Sequence, residues 1–365
     1  MAKLSQREQQ VWDAFEQTGN ACAAARELGI SRSSVRTHLK RAQEKTGRRP
    51  KSMPQENQNE HLKAENKSLR EQLKLTADAL ADARHAGPVP ETPTAAPAVK
   101  AEHVRVFIGD LHAYHQDAPA VEAFMADMKV LQPAEICLLG DMIDCSGFLA
   151  QHHTMGFVAE TPYTFEQDVK ALNTFLTRLQ VTCPNTRIRF IEGNHEHRIE
   201  QWCVTQTLKN ETDARFLFEH FNPRSLCRLD ARGIEYISKG SFVDDVSIRG
   251  TIRYEVNGVN MFATHGITAC KHAAARHVER FGGNVVYGHT HRDDSYMINT
   301  VTNSFIGGWS PGCLCKRVRL WNHNQPDNWT TGYHLQLVSK SGLFQPLNVK
   351  LIKGQSLLSP LLETS

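Results

Sequence analysis

Between residues 104 and 292, five short apolar runs each end in a cluster of aspartate, histidine or asparagine that contains glycine. The runs lie at 104–108, 136–139, 188–191, 259–263 and 285–287, and helical patterns at 118–131 and 164–179 separate some of them. Continuous apolar strands between helices indicate an α/β domain in which both faces of the strands are buried. Ligands in such folds bind beyond the carboxyl ends of the strands, where this sequence places its polar clusters.

The five clusters combine oxygen and imidazole donors without thiolate. In chain order they are Gly109-Asp110-Leu111-His112, Gly140-Asp141-Met142-Ile143-Asp144, Gly193-Asn194-His195-Glu196, Thr264-His265-Gly266 and Gly288-His289-Thr290-His291. Where the chain stays extended, residues two apart point to one face, so Asp110 and His112 could converge on a metal, as could His289 and His291. A single such pair is common on surfaces and in cores, whereas all five in this order predict a metal site. This donor set suits Mn²⁺, Fe or Zn²⁺.

These motifs resemble those of the calcineurin-like metallophosphoesterase superfamily, over about residues 102–355. The superfamily includes protein phosphatases, nucleases and cyclic-nucleotide phosphodiesterases. The resemblance implies a β-sandwich flanked by helices, a four-layer α/β/β/α domain over residues 102–360. It also implies two divalent metal ions, with Mn²⁺ expected first, which clamp the phosphate and activate a water between them as the nucleophile.

The resemblance assigns the metal ligands residue by residue. It implies one metal held by Asp110, His112 and His291, a second held by Asn194, His265 and His289, and a bridge between them through Asp141.

The resemblance further points to His195 and Asp144 as catalytic residues. His195 adjoins a ligand and would donate a proton to the leaving oxygen or stabilise the transition state, because histidine titrates near the working pH. Asp144 resembles the family's carboxylate that orients this histidine. The alternative for Asp144 is a solvated loop acid.

Other residues near the motifs have less specific interpretations. Arg198 and Arg292 could hold phosphate oxygens or serve as structural arginines. Four histidines near the motifs match no family ligand and are expected to be bystanders: His115, His152, His153 and His197. The roughly 65 residues between His195 and His265 are not required by the metal site, and we expect this insertion to determine the substrate.

The segment after the last cluster contributes two further sets of residues. Cys313 and Cys315 are interpreted as ordinary buried thiols rather than as a metal site. The tryptophans of this segment either line the substrate groove or pack into the core, and the sequence favours core packing for all three: Trp309, Trp321 and Trp329.

Residues 1–50 form a predicted helix-turn-helix. Ser5 and Glu8 make a capping box, Asn20 caps a second helix, and Ser31 caps a third, basic helix. The segment resembles LuxR-type and sigma-factor DNA-binding domains, which implies DNA as a partner. The residues predicted to contact DNA are Arg32, Ser33, Arg36, Thr37 and Lys40. The alternative is a helical bundle that contacts protein.

Residues 55–86 are polar and helix-prone, with a heptad seam over residues 59–80 that predicts a short parallel coiled coil and a homodimer. The alternative is a solvated linker helix. Residues 87–101 are rich in proline and alanine and are predicted to be an extended linker.

Composition favours a cytoplasmic protein. The nine cysteines are an odd number without paired spacing apart from one pair, and the first residues lack the apolar stretch of a secretory signal. No run of about 18 apolar residues is present, so no membrane span is expected. The net charge is +3, but the segment from residue 32 to 51 is strongly basic.

The leading functional hypothesis is therefore a DNA-directed, two-metal phosphodiesterase or nuclease. Two alternatives stay open at this point. One is a phosphomonoesterase of protein or nucleotide that the helix-turn-helix recruits, and the other is a non-catalytic DNA-binding regulator or assembly factor. The complete set of motifs argues against the last, because a scaffold does not need Asn194 or His195.

Overall fold

The computed structural model describes residues 4–47, 102–145, 149, 164–208, 210–240, 249–301, 305–316 and 327–358. The chain divides into two compact units, Met1–Asp78 and Ala79–Ser365. The predicted coiled coil at 55–86, the predicted linker at 87–101 and the residues His152, His153 and Trp321 lie outside the described residues.

The first unit contains three helices at the predicted positions: α1 (Gln6–Thr18), α2 (Ala21–Glu27) and α3 (Arg32–Thr46). The predicted caps are confirmed, since the side chains of Ser5, Asn20 and Ser31 each accept a hydrogen bond from a backbone N–H of the first turn. Glu8 completes the capping box and also accepts from Lys45 Nζ at 2.8 and 2.9 Å. This contact joins the first turn of α1 to the last turn of α3, and Lys45 lowers the pKa of Glu8 to about 2.

The second unit is built on two β-sheets. Its described strands are β1 (His103–Ile108), β2 (Glu135–Leu138), β3 (Arg187–Ile191), β4 (Glu235–Ile237), β5 (Thr251–Val256), β6 (Val259–Thr264), β7 (Asn284–Tyr287), β8 (Asp293–Ile298), β9 (Ile306–Pro311), β10 (Gly332–Val338), β11 (Phe344–Ile352) and β12 (Gln355–Ser356). One sheet has the order β12-β11-β10-β1-β2-β3-β4, and the other has the order β5-β6-β7-β9-β8. The five predicted strands correspond to β1, β2, β3, β6 and β7.

Strands β1 to β4 pair in parallel, as do β6, β7 and β9. The described helices of this unit are α4 (Ala118–Leu131), α5 (Phe165–Thr182), α6 (Asn194–Gln206), α7 (Glu211–His220), α8 (Pro223–Leu226) and α9 (Ala273–Phe281). Both helices predicted from the sequence, α4 and α5, are confirmed to within a few residues.

Alternate side chains of β1 enter two different cores. Val106 and Ile108 pack with α4 and α5, whereas Phe107 packs with residues of the second sheet such as Met261 and Val286. Helix α9 covers the other face of the second sheet. The unit is thus a mixed α/β fold of two facing sheets with helices outside them. Burial on both faces explains why the strands appear as continuous apolar runs.

The insertion between the third and fourth clusters packs against α5. Arg232 is 1% exposed and donates to the Cys227 carbonyl, to Gln180 Oε1 and to Asn173. This arginine therefore anchors the insertion to the domain rather than contacting substrate. None of the described helices is long and apolar enough to cross a membrane.

Candidate metal centre

The carboxyl ends of β1, β2, β3, β6 and β7 bring the five polar clusters to one edge of the domain. Main-chain hydrogen bonds join the loops that carry them. Asp110 N–H donates to the Gly140 carbonyl at 3.0 Å, and His112 N–H donates to the Asp141 carbonyl at 3.0 Å. The His289 N–H donates to the Asp110 carboxylate at 2.9 and 3.1 Å. The fold itself thus brings residues up to 179 positions apart into contact.

Asp110, His112, Asp141 and His291 form the first donor group, and their ligand atoms lie within 4.8 Å of one another. His291 Nε2 is 3.1 Å from Asp110 Oδ1 and 3.2 Å from His112 Nε2. All four residues are buried.

Asp141, His265 and His289 form the second donor group, again within 4.8 Å. His265 Nε2 is 3.3 Å from Asp141 Oδ2 and 2.8 Å from Asn194 Oδ1. Asp141 belongs to both groups, which is the position expected of a bridging carboxylate. All seven side chains predicted to bind metal therefore lie together.

Hydrogen bonds at Nδ1 orient two of the histidines toward the donor groups. His265 Nδ1–H donates to the Leu139 carbonyl at 2.9 Å, which directs its Nε2 toward Asn194 Oδ1. Burial opposes protonation of His265, but Asp141 outweighs it and raises the pKa. His112 Nδ1 is likewise held by Asp144 Oδ1 at 3.0 Å, and burial and the nearby His195 lower the pKa of His112 to about 4. Histidines that bind transition metals do so as neutral imidazoles and are commonly oriented by a hydrogen bond at the other ring nitrogen. A cation at the centre would therefore take the place of the proton that Asp141 favours on His265.

The backbone at the centre is strained. Asp110, His112, Asp141, His289 and His291 have φ values of 53°, 44°, 49°, 70° and 56°. Non-glycine residues seldom adopt this left-handed conformation, which costs on the order of 1 kcal/mol or more each and concentrates at functional sites. The expectation that the chain stays extended through the two-apart pairs is therefore wrong, and the residues converge because each loop turns sharply.

His195 lies beside both donor groups, with 13% of its side chain exposed. Its backbone N–H donates to Asp141 Oδ1 at 2.8 Å, and its Nδ1 donates to the Asp144 carbonyl at 2.7 Å. Burial opposes protonation of His195, but Asp141 and Asp144 outweigh it and raise the pKa. The imidazole is thus biased toward the protonated form that a general acid requires.

Asp144 contacts two histidines through one buried carboxylate. Its Oδ1 is 3.0 Å from His112 Nδ1 and 3.4 Å from His195 Nδ1. The alternative interpretation, a solvated loop acid, is wrong because Asp144 is 2% exposed. Arg198 donates to the Asp144 carbonyl at 3.2 Å, and its Nη2 lies 3.0 Å from His195 Nε2, to which it can donate only while that nitrogen is unprotonated. This arginine therefore belongs to the site.

Two buried carboxylates that sequence reasoning did not assign hold the loops in place. Glu196 accepts four backbone N–H groups, from Asp141, Met142, Ile143 and Gly193, at 2.8 to 3.0 Å. Asp168, on α5, accepts from the backbones of Tyr114, Asp144 and Cys145 at 2.8 to 3.2 Å. Burial and the nearby Asp144 raise the pKa of Asp168 to about 8. A buried acid on the apolar face of α5 was the sequence signal that could have identified Asp168.

Some secondary candidates also lie near the centre. His115, predicted to be a bystander, is 3.9 Å from Asp144 Oδ2. Cys315 is buried as predicted, but its Sγ is 4.0 Å from His291 Nδ1. The half-buried Trp329 places its ring centroid 4.1 Å from that of His291, whereas Trp309 packs between the sheets.

In the first unit, the five residues predicted to contact DNA are all exposed on α3: Arg32, Ser33, Arg36, Thr37 and Lys40. The opposite face of the helix is buried through Val35 and Ala42. Arg292, the other candidate for phosphate binding, donates instead to the Cys270 carbonyl.

The family model described as calcineurin-like phosphoesterase matches residues 105–293, just over half of the chain and all five clusters. No curated protein matches the chain. Solved structures with a similar fold include wild-type Vps29 from Entamoeba histolytica complexed with zinc, at 11% identity, with 69% of this chain and 95% of that chain covered and a TM-score of 0.34.

Two bacterial structures are also similar. YfcE, a phosphoesterase from E. coli, has 14% identity, covers 67% of this chain and 98% of its own, and gives a TM-score of 0.30. The Pseudomonas putida nuclease MPE has 14% identity, covers 67% of this chain and 87% of its own, and gives a TM-score of 0.26.

Replacing Glu196 tests whether the loop carboxylates build the centre. In Glu196→Gln, an amide NH₂ would replace one oxygen and face two buried N–H donors. The free energy of unfolding should fall by about 2 to 4 kcal/mol, and the affinity for Mn²⁺ should fall with it. Urea titration and Mn²⁺ calorimetry measure the two effects, with the exposed Glu219→Gln as the matched control. Unchanged stability and unchanged Mn²⁺ affinity would contradict this role.

Proposed function

Because the chain belongs to the calcineurin-like phosphoesterase family and is a metal-dependent hydrolase of phosphate esters, we propose that it cleaves phosphodiester bonds of DNA bound by its N-terminal unit. The observation that carries the hydrolytic part is the sharing of Asp141 by two donor groups. The DNA-directed part rests on the basic exposed face of α3.

We assign the first cation to Asp110, His112 and His291 and the second to Asn194, His265 and His289, both in contact with Asp141. When bound, two such cations would neutralise phosphate charge and supply an activated water for in-line attack. The side chains are already oriented for this role, because the Leu139 carbonyl fixes His265 and the Asp144 carboxylate fixes His112.

His195 would act on the leaving oxygen. Its Nδ1 is fixed by Asp144, which leaves Nε2 as the atom that delivers a proton. Arg198, 3.0 Å from that Nε2, can bind a non-bridging phosphate oxygen through the N–H groups of its guanidinium that the Asp144 carbonyl does not use. The arginine and the histidine would thereby hold the same phosphate group from one side.

Two features favour a nucleic-acid diester over a small monoester. Trp329 lies against His291, which puts an aromatic side chain beside the centre, and aromatic side chains commonly stack on unpaired bases. The basic α3 face would bind DNA mainly through phosphates, and a tethered binding unit raises the effective concentration of DNA at the hydrolytic centre.

The reaction can be tested on a panel of substrates in Mn²⁺ buffer. Single-stranded DNA, double-stranded DNA, a bis-aryl phosphodiester and an aryl phosphomonoester are incubated with the wild-type protein and with His195→Asn. We expect cleavage of DNA and the diester, with kcat lowered about 100-fold or more in the variant because general-acid catalysis is lost. The exposed His220→Asn serves as the matched control.

Other outcomes of that panel would contradict the proposal. Turnover of the monoester alone would indicate a phosphomonoesterase. If the metal-bound protein turned over none of the substrates, the non-catalytic regulator would be favoured.

DNA binding is tested in the full chain by replacing three exposed residues of α3, Arg32, Arg36 and Lys40, with alanine together. The affinity for duplex DNA should fall, and the slope of log K against log salt should decrease by about one for each lost phosphate contact. Fluorescence anisotropy at several salt concentrations measures both quantities, with Arg7→Ala on α1 as the control. Equal affinity and slope in the triple variant would remove DNA direction from the proposal.

A further inference from the structure

Glu192, His197 and Glu200 form a separate group of metal-ligand atoms, and none of the three belongs to the seven donors around Asp141. Glu192 follows β3 directly, while His197 and Glu200 lie three positions apart on α6 and so share one face. Their ligand atoms lie within 4.8 Å of one another. Glu192 and Glu200 are 1% and 3% exposed.

The separations within this group are longer than those of ordinary hydrogen bonds. His197 Nδ1 is 3.6 Å from Glu192 Oε1 and 3.4 Å from Glu200 Oε2, whereas N–H···O bonds are usually about 2.7 to 3.2 Å. Among the described residues, neither Glu192 Oε1 nor His197 Nδ1 has a hydrogen-bond partner, although both atoms are buried. Ligands at about 2.0 to 2.1 Å from a tetrahedral ion lie roughly 3.3 to 3.4 Å apart.

The local structure orients the carboxylate of Glu192 and passes close to that of Glu200. The other oxygen of Glu192 accepts hydrogen bonds from Ser238 Oγ and from the Lys239 N–H, both at 2.6 Å. At Gly240 a Cβ would collide with Glu200 Oε2, so the glycine lets the chain pass close to that carboxylate. Glu192 Oε1 therefore faces the group with little freedom to turn away.

The negative charge of the buried glutamates in this group also favours a bound cation. Within the described residues, the ion partner of Glu192 is His197 and no lysine or arginine. The carboxylate of Glu192 is buried with this imidazole as its ion partner, and buried charge is costly unless it is paired. A divalent cation would compensate that charge and satisfy the unpaired atoms.

We propose that Glu192, His197 and Glu200 bind a third divalent cation of the Zn²⁺ or Mn²⁺ type. One imidazole nitrogen and two carboxylate oxygens suit these ions. The ion would link the end of β3, the first two turns of α6 and residues 238–240. Because α6 also carries Asn194 and His195, the third cation positions the helix from which the active centre draws a ligand and its acid.

The test is a count of bound zinc. Full-length protein is stripped with a chelator, reloaded with Zn²⁺ and dialysed, and zinc per chain is measured by mass spectrometry. We expect three ions in the wild type and in the exposed Glu219→Gln control, but two in His197→Phe and in Glu200→Gln. In Asp141→Asn, ions should be lost from the paired centre while the third is retained, so failure of this proposal is distinguishable from failure of the proposed function. Equal zinc content in the wild type, His197→Phe and Glu200→Gln would overturn the proposal.

A second measurement does not depend on the variants folding. Crystals of the zinc-loaded wild-type protein are measured at the zinc absorption edge. An anomalous peak among Glu192, His197 and Glu200 is expected. Peaks confined to the Asp141 centre would overturn the third site.

Discussion

The active centre depends on the contacts that the carboxylate of Asp141 makes. This carboxylate lies in both donor groups, its Oδ1 accepts the backbone N–H of His195, and its Oδ2 faces His265. Its own backbone N–H is held by Glu196. A buried carboxylate with histidines as its ion partners among the described residues is unfavourable alone and favourable between two cations. The backbone N–H of His195 and the carboxylate of Glu196 keep Asp141 in place between the two donor groups.

The centre is organised before any ligand arrives. Glu196 and Asp168 use buried carboxylates to hold the backbones of the Asp141 and Asp144 loops, rather than to contact substrate. Strained φ values at five of the donors are maintained by these bonds and by the hydrogen bonds between loops. Catalysis by positioned charges requires such order, because donors that must rearrange during the reaction lose much of their effect. The proposed third cation would likewise hold α6 in place before substrate binds.

The features that the sequence predicted correctly are those that depend on residues close together in the chain. The strands followed from apolar runs, the caps of the first unit followed from Ser5, Asn20 and Ser31, and the donors followed from motifs that adjoin the strands. Asp168 was missed because it acts on a loop more than 20 residues away and belongs to no motif. The contacts of Cys315 and Trp329 with His291 also depend on tertiary folding. The extended geometry of the paired donors was predicted wrongly because spacing alone does not reveal left-handed φ values. The coiled coil and the DNA contacts stay predictions.

The central claim is that two cations share the carboxylate of Asp141, and electron paramagnetic resonance of the Mn²⁺-loaded protein tests it most directly. A pair of Mn²⁺ ions joined by a bridging carboxylate gives an exchange-coupled spectrum. The account predicts that this spectrum is present in the wild type and absent in Asp141→Asn. A wild-type protein that binds Mn²⁺ but shows only isolated, uncoupled ions would contradict it.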